Sequence, residues 1–209
     1  MRISRERPII CLITPGNATP ENFQEYSSSI KALIVPAVKA GVSLLQIREK
    51  KLSGRLLFEL VRSVVTAAAG TGVEIIVNDR LDVAVAAEAN GVHLPSDSFD
   101  VQDIRHVVPE HFLIGASTHN DLELQHANES GADYAFFGPV FATPNKGPAV
   151  RVDGLIAAVI SVPELPVLGL GGISARNYRE ILDTGAAGFA AIRSLNDPDE
   201  LRLLAKAII

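Results

Sequence analysis

Short apolar runs alternate along the whole chain with longer stretches whose apolar residues recur at helical spacing. Residues 9–14, 43–47, 73–77, 91–94, 112–116, 134–137, 166–170 and 188–192 read as strands. Several are hydrophobic throughout rather than in alternation, which suits a parallel sheet covered on both faces. Stretches such as 56–69 and 123–129 read as helices. Gly41, Gly91, Gly131 and Gly185 fall where a helix gives way to a strand, the place for a residue that ends a helix in the left-handed conformation. Eight such βα units predict an α/β protein, a single parallel eight-stranded (β/α)8 TIM barrel forming one domain over 1–209.

Composition narrows the functional classes. The 209 residues carry a net charge of −5, so no basic surface favours nucleic acid, and an anion site must be a local cluster. The single cysteine, Cys11, lies in an apolar run and reads as a small buried hydrophobe. The charged N-terminus is followed by no apolar stretch long enough for a signal peptide or a membrane span. A cytoplasmic protein without membrane partners is expected, with homo-oligomerisation left open.

In a barrel of this kind, chemistry belongs at the C-terminal ends of the strands, and there the sequence turns polar. The change is sharpest in Leu44-Leu45-Gln46-Ile47-Arg48-Glu49-Lys50. Side chains two apart on a strand share a face, so Gln46, Arg48 and Lys50 are expected to converge on one point. A guanidinium fork and an ammonium point charge are two common ways to hold phosphate. Lys146 adds a third cation, while Asn78, Ser117 and Thr143 offer neutral hydrogen-bonding groups. Asp79 beside Asn78 is a candidate ligand for Mg²⁺, which takes one or two carboxylates and fills its shell with phosphate oxygens and water. A diphosphate with magnesium fits this inventory. Gly171-Gly172 and Arg193-Ser194, after strands seven and eight, occupy a frequent monophosphate position of the fold. Among the five histidines, His119 is the best candidate for proton transfer, whereas His93 at the end of strand four reads as a core residue.

Together these motifs resemble the thiamin phosphate synthase and TenI family. The resemblance rests on Leu45-Gln46-Ile47-Arg48-Glu49-Lys50, Val77-Asn78-Asp79-Arg80, Gly91-Val92-His93-Leu94, Gly115-Ala116-Ser117-Thr118-His119-Asn120, Phe137-Gly138-Pro139-Val140-Phe141-Ala142-Thr143-Pro144-Asn145-Lys146 and Gly171-Gly172-Ile173, in that order. It implies a TIM-barrel transferase that joins a phosphorylated pyrimidine to a phosphorylated thiazole with Mg²⁺. Carried over by position, Gln46, Arg48, Lys50, Asn78, Ser117 and Lys146 would hold the pyrimidine diphosphate and Asp79 the metal. Thr143, Asn145, Gly172 and the Ile192-Arg193 turn would hold the thiazole phosphate. The chain departs from the synthase pattern at Ser98, where a second magnesium carboxylate is expected, at Asn145 and at Arg193. Its Leu94-Pro95-Ser96-Asp97-Ser98-Phe99 run is closer to TenI, the thiazole tautomerase, in which His119 would shuttle a proton. The alternatives to a synthase are thus a tautomerase and a non-catalytic thiazole phosphate-binding paralogue.

Overall fold

The computed structural model describes residues 6–143 and 147–208. Among them, the first half of the chain gives β1 (Ile9–Ile13), α1 (Phe23–Lys39), β2 (Val42–Ile47), α2 (Gly54–Ala68), β3 (Glu74–Asn78), α3 (Leu81–Ala86), β4 (Gly91–Leu94) and α4 (Val101–Val107). The second half gives β5 (Leu113–Thr118), α5 (Asp121–Glu129), β6 (Tyr134–Phe137), α6 (Arg151–Ser161), β7 (Val167–Leu170), α7 (Tyr178–Leu182), β8 (Gly188–Ala191) and α8 (Pro198–Ile208). A 3₁₀ turn over Ser194–Asn196 precedes α8. The strands close into a barrel in sequence order, the (β/α)8 architecture that the alternating pattern predicts. No helix among the described residues is long and apolar enough to cross a membrane.

Two compact units are distinguished. One comprises the residues up to Ile10 together with His93–Ala191, the other Cys11–Val92 with the residues from Ile192 onward. In the second unit, α2 buries Leu57, Leu60, Val61, Val64 and Ala68. Burying each larger apolar side chain stabilises by about 1.5–3 kcal/mol, which outweighs the few tenths lost by placing valines in a helix. Ser53 caps this helix by accepting from Leu56 N–H. Strands β2 and β3 pair in parallel with Gln46 opposite Ile76 and Ile47 opposite Val77.

In the first unit, β5 pairs with β6 so that Gly115 faces Tyr134 and Ser117 faces Phe136. Tyr134, Phe136 and Phe189 are its largest fully buried side chains. Below them Arg105 donates to the carbonyls of Phe112 and Gly131 and to Asp133, whose Oδ2 also accepts from Ile114 N–H.

The strands β3 and β5 run further than their hydrophobic pattern predicts, through Asn78 and Thr118. Backbone pairing continues past the last apolar residue, as in Thr118 opposite Phe137, and the Thr118 hydroxyl donates to Phe136 O. Polarity at a strand end therefore does not mark where its ladder stops. Helices α2 and α5 likewise begin two residues earlier than expected, because Ser53 and Asn120 cap them.

Candidate active site

In the unit containing β2 and β3, Gln46 and Asn78 lie on the same face, since Asn78 stands two residues beyond Ile76, the partner of Gln46. Both are buried, at 1% and 9% exposure. Gln46 Nε2 donates to Asn78 Oδ1 at 3.1 Å. Gln46 Oε1 is buried and, among the described residues, has no hydrogen-bond partner. An unsatisfied buried acceptor costs about 1–3 kcal/mol, so in a native fold it calls for an explanation such as a ligand.

β2 ends at Ile47, so Arg48 and Lys50 lie beyond the strand and its alternation does not place them on the face of Gln46. Arg48 N–H donates to the Thr14 hydroxyl at 2.8 Å. Its side chain passes beside the loop after β1, where a Cβ on Gly16 would lie 3.6 Å from Arg48 Nη1. Lys50 sits in the following turn and is exposed. Glu49 points the other way. Only 3% exposed, its carboxylate accepts from Gly16 N–H at 3.1 Å, Ala18 N–H at 2.9 Å and the Tyr26 hydroxyl at 2.5 Å. Both oxygens are thereby committed, and the loop after β1 is fastened to the end of β2. Burial, reinforced by the bond to Glu49, pushes the Tyr26 phenol well above its usual range.

Asp79 follows β3 with φ of +67°, a left-handed conformation in a residue that is not glycine. Arg80 N–H closes back on Asn78 O at 2.8 Å, making a γ-turn of the positive-φ kind, the rarer and more strained type. Arg80 itself forks onto Asp82 through Nε at 2.8 Å and Nη2 at 2.6 Å.

The other unit holds a neutral cluster. His93, at the end of β4 and 1% exposed, is stacked on Phe136 with ring centroids 4.1 Å apart. Its Nε2 lies 2.8 Å from Ser117 Oγ and its Nδ1 3.3 Å from the Tyr134 hydroxyl. Burial pushes its pKa down to about 3, so the ring is neutral. Gly115 makes room for this stack: a Cβ there would meet Tyr134 Cζ at 2.2 Å and His93 Nδ1 at 2.6 Å. His119, just beyond β5, is exposed, and its Nδ1 is 2.8 Å from Gly138 O. With Nδ1–H donated to that carbonyl, Nε2 is left as the basic nitrogen. Glu123 fixes the segment by accepting from His119 N–H at 2.8 Å.

Gly171 and Gly172 follow β7 with φ of +104° and +69°. Side chains there would strike Pro139 at 2.7 Å and Phe141 at 2.7 Å, so packing against the segment after β6 suffices to require glycine. Thr143 Oγ1 donates to Phe141 O at 3.1 Å. Ile192 and Arg193 lead into the 3₁₀ turn, where Ile192 O accepts from Asn196 Nδ2 at 2.6 Å and Arg193 is exposed. Asn145 and Lys146 lie outside the described residues.

Sequence reasoning brought Gln46 and Asn78 to one place, and they bond. It passed over Glu49 as part of the site's scaffold and His93 as a polar partner of Ser117. A signal for His93 was present: a histidine at the last turn of an apolar strand, with Gly115 and Ser117 alternating on another.

The family model described as thiamine monophosphate synthase matches residues 10–195. The chain is 37% identical over 161 residues to the thiamine-phosphate synthase of Syntrophomonas wolfei, covering 76% of this chain and 77% of that protein. It is 31% identical over 208 residues to the thiamine-phosphate synthase of Chlorobium luteolum, covering 99% and 93%. The solved structure of a thiamine phosphate pyrophosphorylase from Pyrococcus furiosus is similar with a TM-score of 0.80 at 29% identity, covering 98% of each chain.

Proposed function

We infer the reaction from one premise: this chain belongs to the thiamine monophosphate synthase family. The protein is a transferase that couples hydroxymethylpyrimidine diphosphate with thiazole phosphate, giving thiamin phosphate and pyrophosphate. The observation that carries this reading is the buried Gln46–Asn78 pair with its open acceptor, a preformed place for an N–H of the pyrimidine.

In this reading Gln46 orients the pyrimidine ring, and Arg48, Lys50 and Asn78 hold its diphosphate, joined by Ser117 and Lys146. Thr143, Asn145, Gly171, Gly172, Ile192 and Arg193 take the thiazole phosphate. The pyrimidine C–O bond breaks with its electron pair leaving on the diphosphate, and the thiazole nitrogen's lone pair forms the new C–N bond. Negative charge grows on the leaving group, so fixed cations and hydrogen-bond donors there do more than a general base would. Arg48 is suited to this because its backbone and its neighbouring loop are fixed by Thr14 and Glu49.

The donor chemistry fits magnesium. Asp79 offers a hard carboxylate on a strained turn, and the Ser98 hydroxyl is a neutral oxygen donor; Glu49 is fully committed elsewhere. Asp79 would therefore be a charged ligand, and the bound ion would neutralise diphosphate charge. A cytoplasmic location would suit small phosphorylated substrates of this kind.

A second reading, the tautomerase, rests on His119, whose Nδ1 is anchored on Gly138 O so that Nε2 is presented as a base. The deciding experiment supplies both substrates with Mg²⁺ and then with EDTA. Pyrophosphate released only with metal is expected. Folded protein that releases none, yet isomerises the carboxythiazole phosphate without metal and loses that activity in His119→Ala, would establish the tautomerase instead.

A further inference from the structure

His93 is joined to Ser117 at one nitrogen and to Tyr134 at the other, yet nothing in the reaction requires a buried imidazole. A neutral ring has one N–H donor and one bare acceptor nitrogen, so its two bonds must run in the same direction. In one direction the Tyr134 phenol donates to Nδ1, Nε2–H donates to Ser117 Oγ, and the serine proton is left to point away from the ring. In the other, the serine proton is spent on Nε2, and only oxygen lone pairs face outward. Lone pairs would repel an anionic substrate oxygen; a free hydroxyl proton would bind it.

We propose that His93 is a positioning residue that fixes the direction of the Ser117 hydroxyl, so that Ser117 offers its proton to an anionic oxygen of the substrate. The proposal rests on the reading of Ser117 as a diphosphate-holding group. The ring is well placed for this task. Stacking on Phe136 holds its plane, with an interplanar angle of 28°. The absent Cβ of Gly115 lets Tyr134 and His93 approach across β5. Ser117 stands opposite Phe136 in the β5–β6 register, so the ring that carries the imidazole and the hydroxyl that receives its bond are set by the same pairing. Burial keeps the ring neutral, so one of its two nitrogens remains a bare acceptor. A donor oriented before the substrate arrives needs no reorganisation during the reaction.

The experiment is a double-mutant cycle with a spectroscopic arm. His93→Phe keeps an aromatic ring to stack on Phe136 and removes both nitrogens; Ser117→Ala removes the hydroxyl. His93→Phe is expected to lower kcat/KM for pyrophosphate release about 10-fold, the scale of one lost hydrogen bond. That loss should vanish when Ser117 is already alanine, because the histidine acts only through the hydroxyl. Equal losses in both backgrounds would overturn the proposal. Nitrogen-15 NMR of the ligand-free wild-type protein, which needs neither variant nor turnover, should show His93 protonated at Nε2 and bare at Nδ1. The opposite tautomer would overturn it even if His93→Phe failed to fold. Wild-type protein without synthase activity but with the Nε2–H tautomer would refute the functional reading while upholding the fixed direction of the serine.

Discussion

The polar cluster of β2–β3 and that of β4–β6 are both built at strand ends, but one leaves a buried acceptor open while the other bonds its central imidazole at both nitrogens. Around Gln46 and Asn78 the groups are charged or only partly satisfied: one buried acceptor lacks a partner, and Lys50 is exposed. Around His93 the members are neutral, ring-stacked and bonded at both nitrogens. An incomplete polar cluster is tolerable only where a ligand completes it, whereas a complete one rigidifies its surroundings. The first is thus organised for binding and the second for holding a group in place.

This contrast can be broken by variants that reverse it. The largest effect is expected from Arg48→Ala, which should lower kcat/KM for pyrophosphate release by about 2 to 4 kcal/mol, roughly 30- to 1,000-fold, while leaving the melting temperature unchanged. A melting temperature that falls in step with activity would make Arg48 part of the scaffold. Next, Gly115→Ala should reduce unfolding free energy by about 1–3 kcal/mol, since the new methyl overlaps the Tyr134 and His93 rings. Urea denaturation measures this; an unaltered midpoint would mean that the His93 stack is loose. The third effect is a slope. His93 is neutral when buried but has an ordinary pKa near 6.5 when unfolded, so the unfolded chain binds the extra proton. Stability from this residue is complete above about 6.5 and is lost as pH falls towards 3. His93→Phe should flatten that acid limb, and an identical limb in wild type and variant would show the ring to be accessible to protons.

Much of the barrel was legible because it is written in short-range pattern: apolar runs of strand length, helical periodicity and glycine at the junctions. Gln46 and Asn78 were each legible as polar strand endings, but the face they share is set by the β2–β3 register. The scaffold around them was not legible. Glu49 sits between two cations and reads as one more rim charge, but its partners are the amides of Gly16 and Ala18 in the loop after β1. His93 reads as core packing because Ser117 and Tyr134 reach it from two other strands, in a register no local pattern records. The glycines after β7 carry the converse lesson. Their spacing suggests a phosphate cradle, while steric contact with Pro139 and Phe141 already requires them.

The turn at Asp79 has a consequence for anyone trying to make this protein hardier. A non-glycine residue held at positive φ costs on the order of 1–3 kcal/mol, and glycine would relieve most of it. Directed evolution that scores only heat resistance would therefore favour Asp79→Gly early and recover a tougher protein stripped of the carboxylate proposed as a magnesium ligand. If Asp79 holds the metal as proposed, robustness and turnover pull in opposite directions at this position, and a selection scheme must reward both to keep the aspartate.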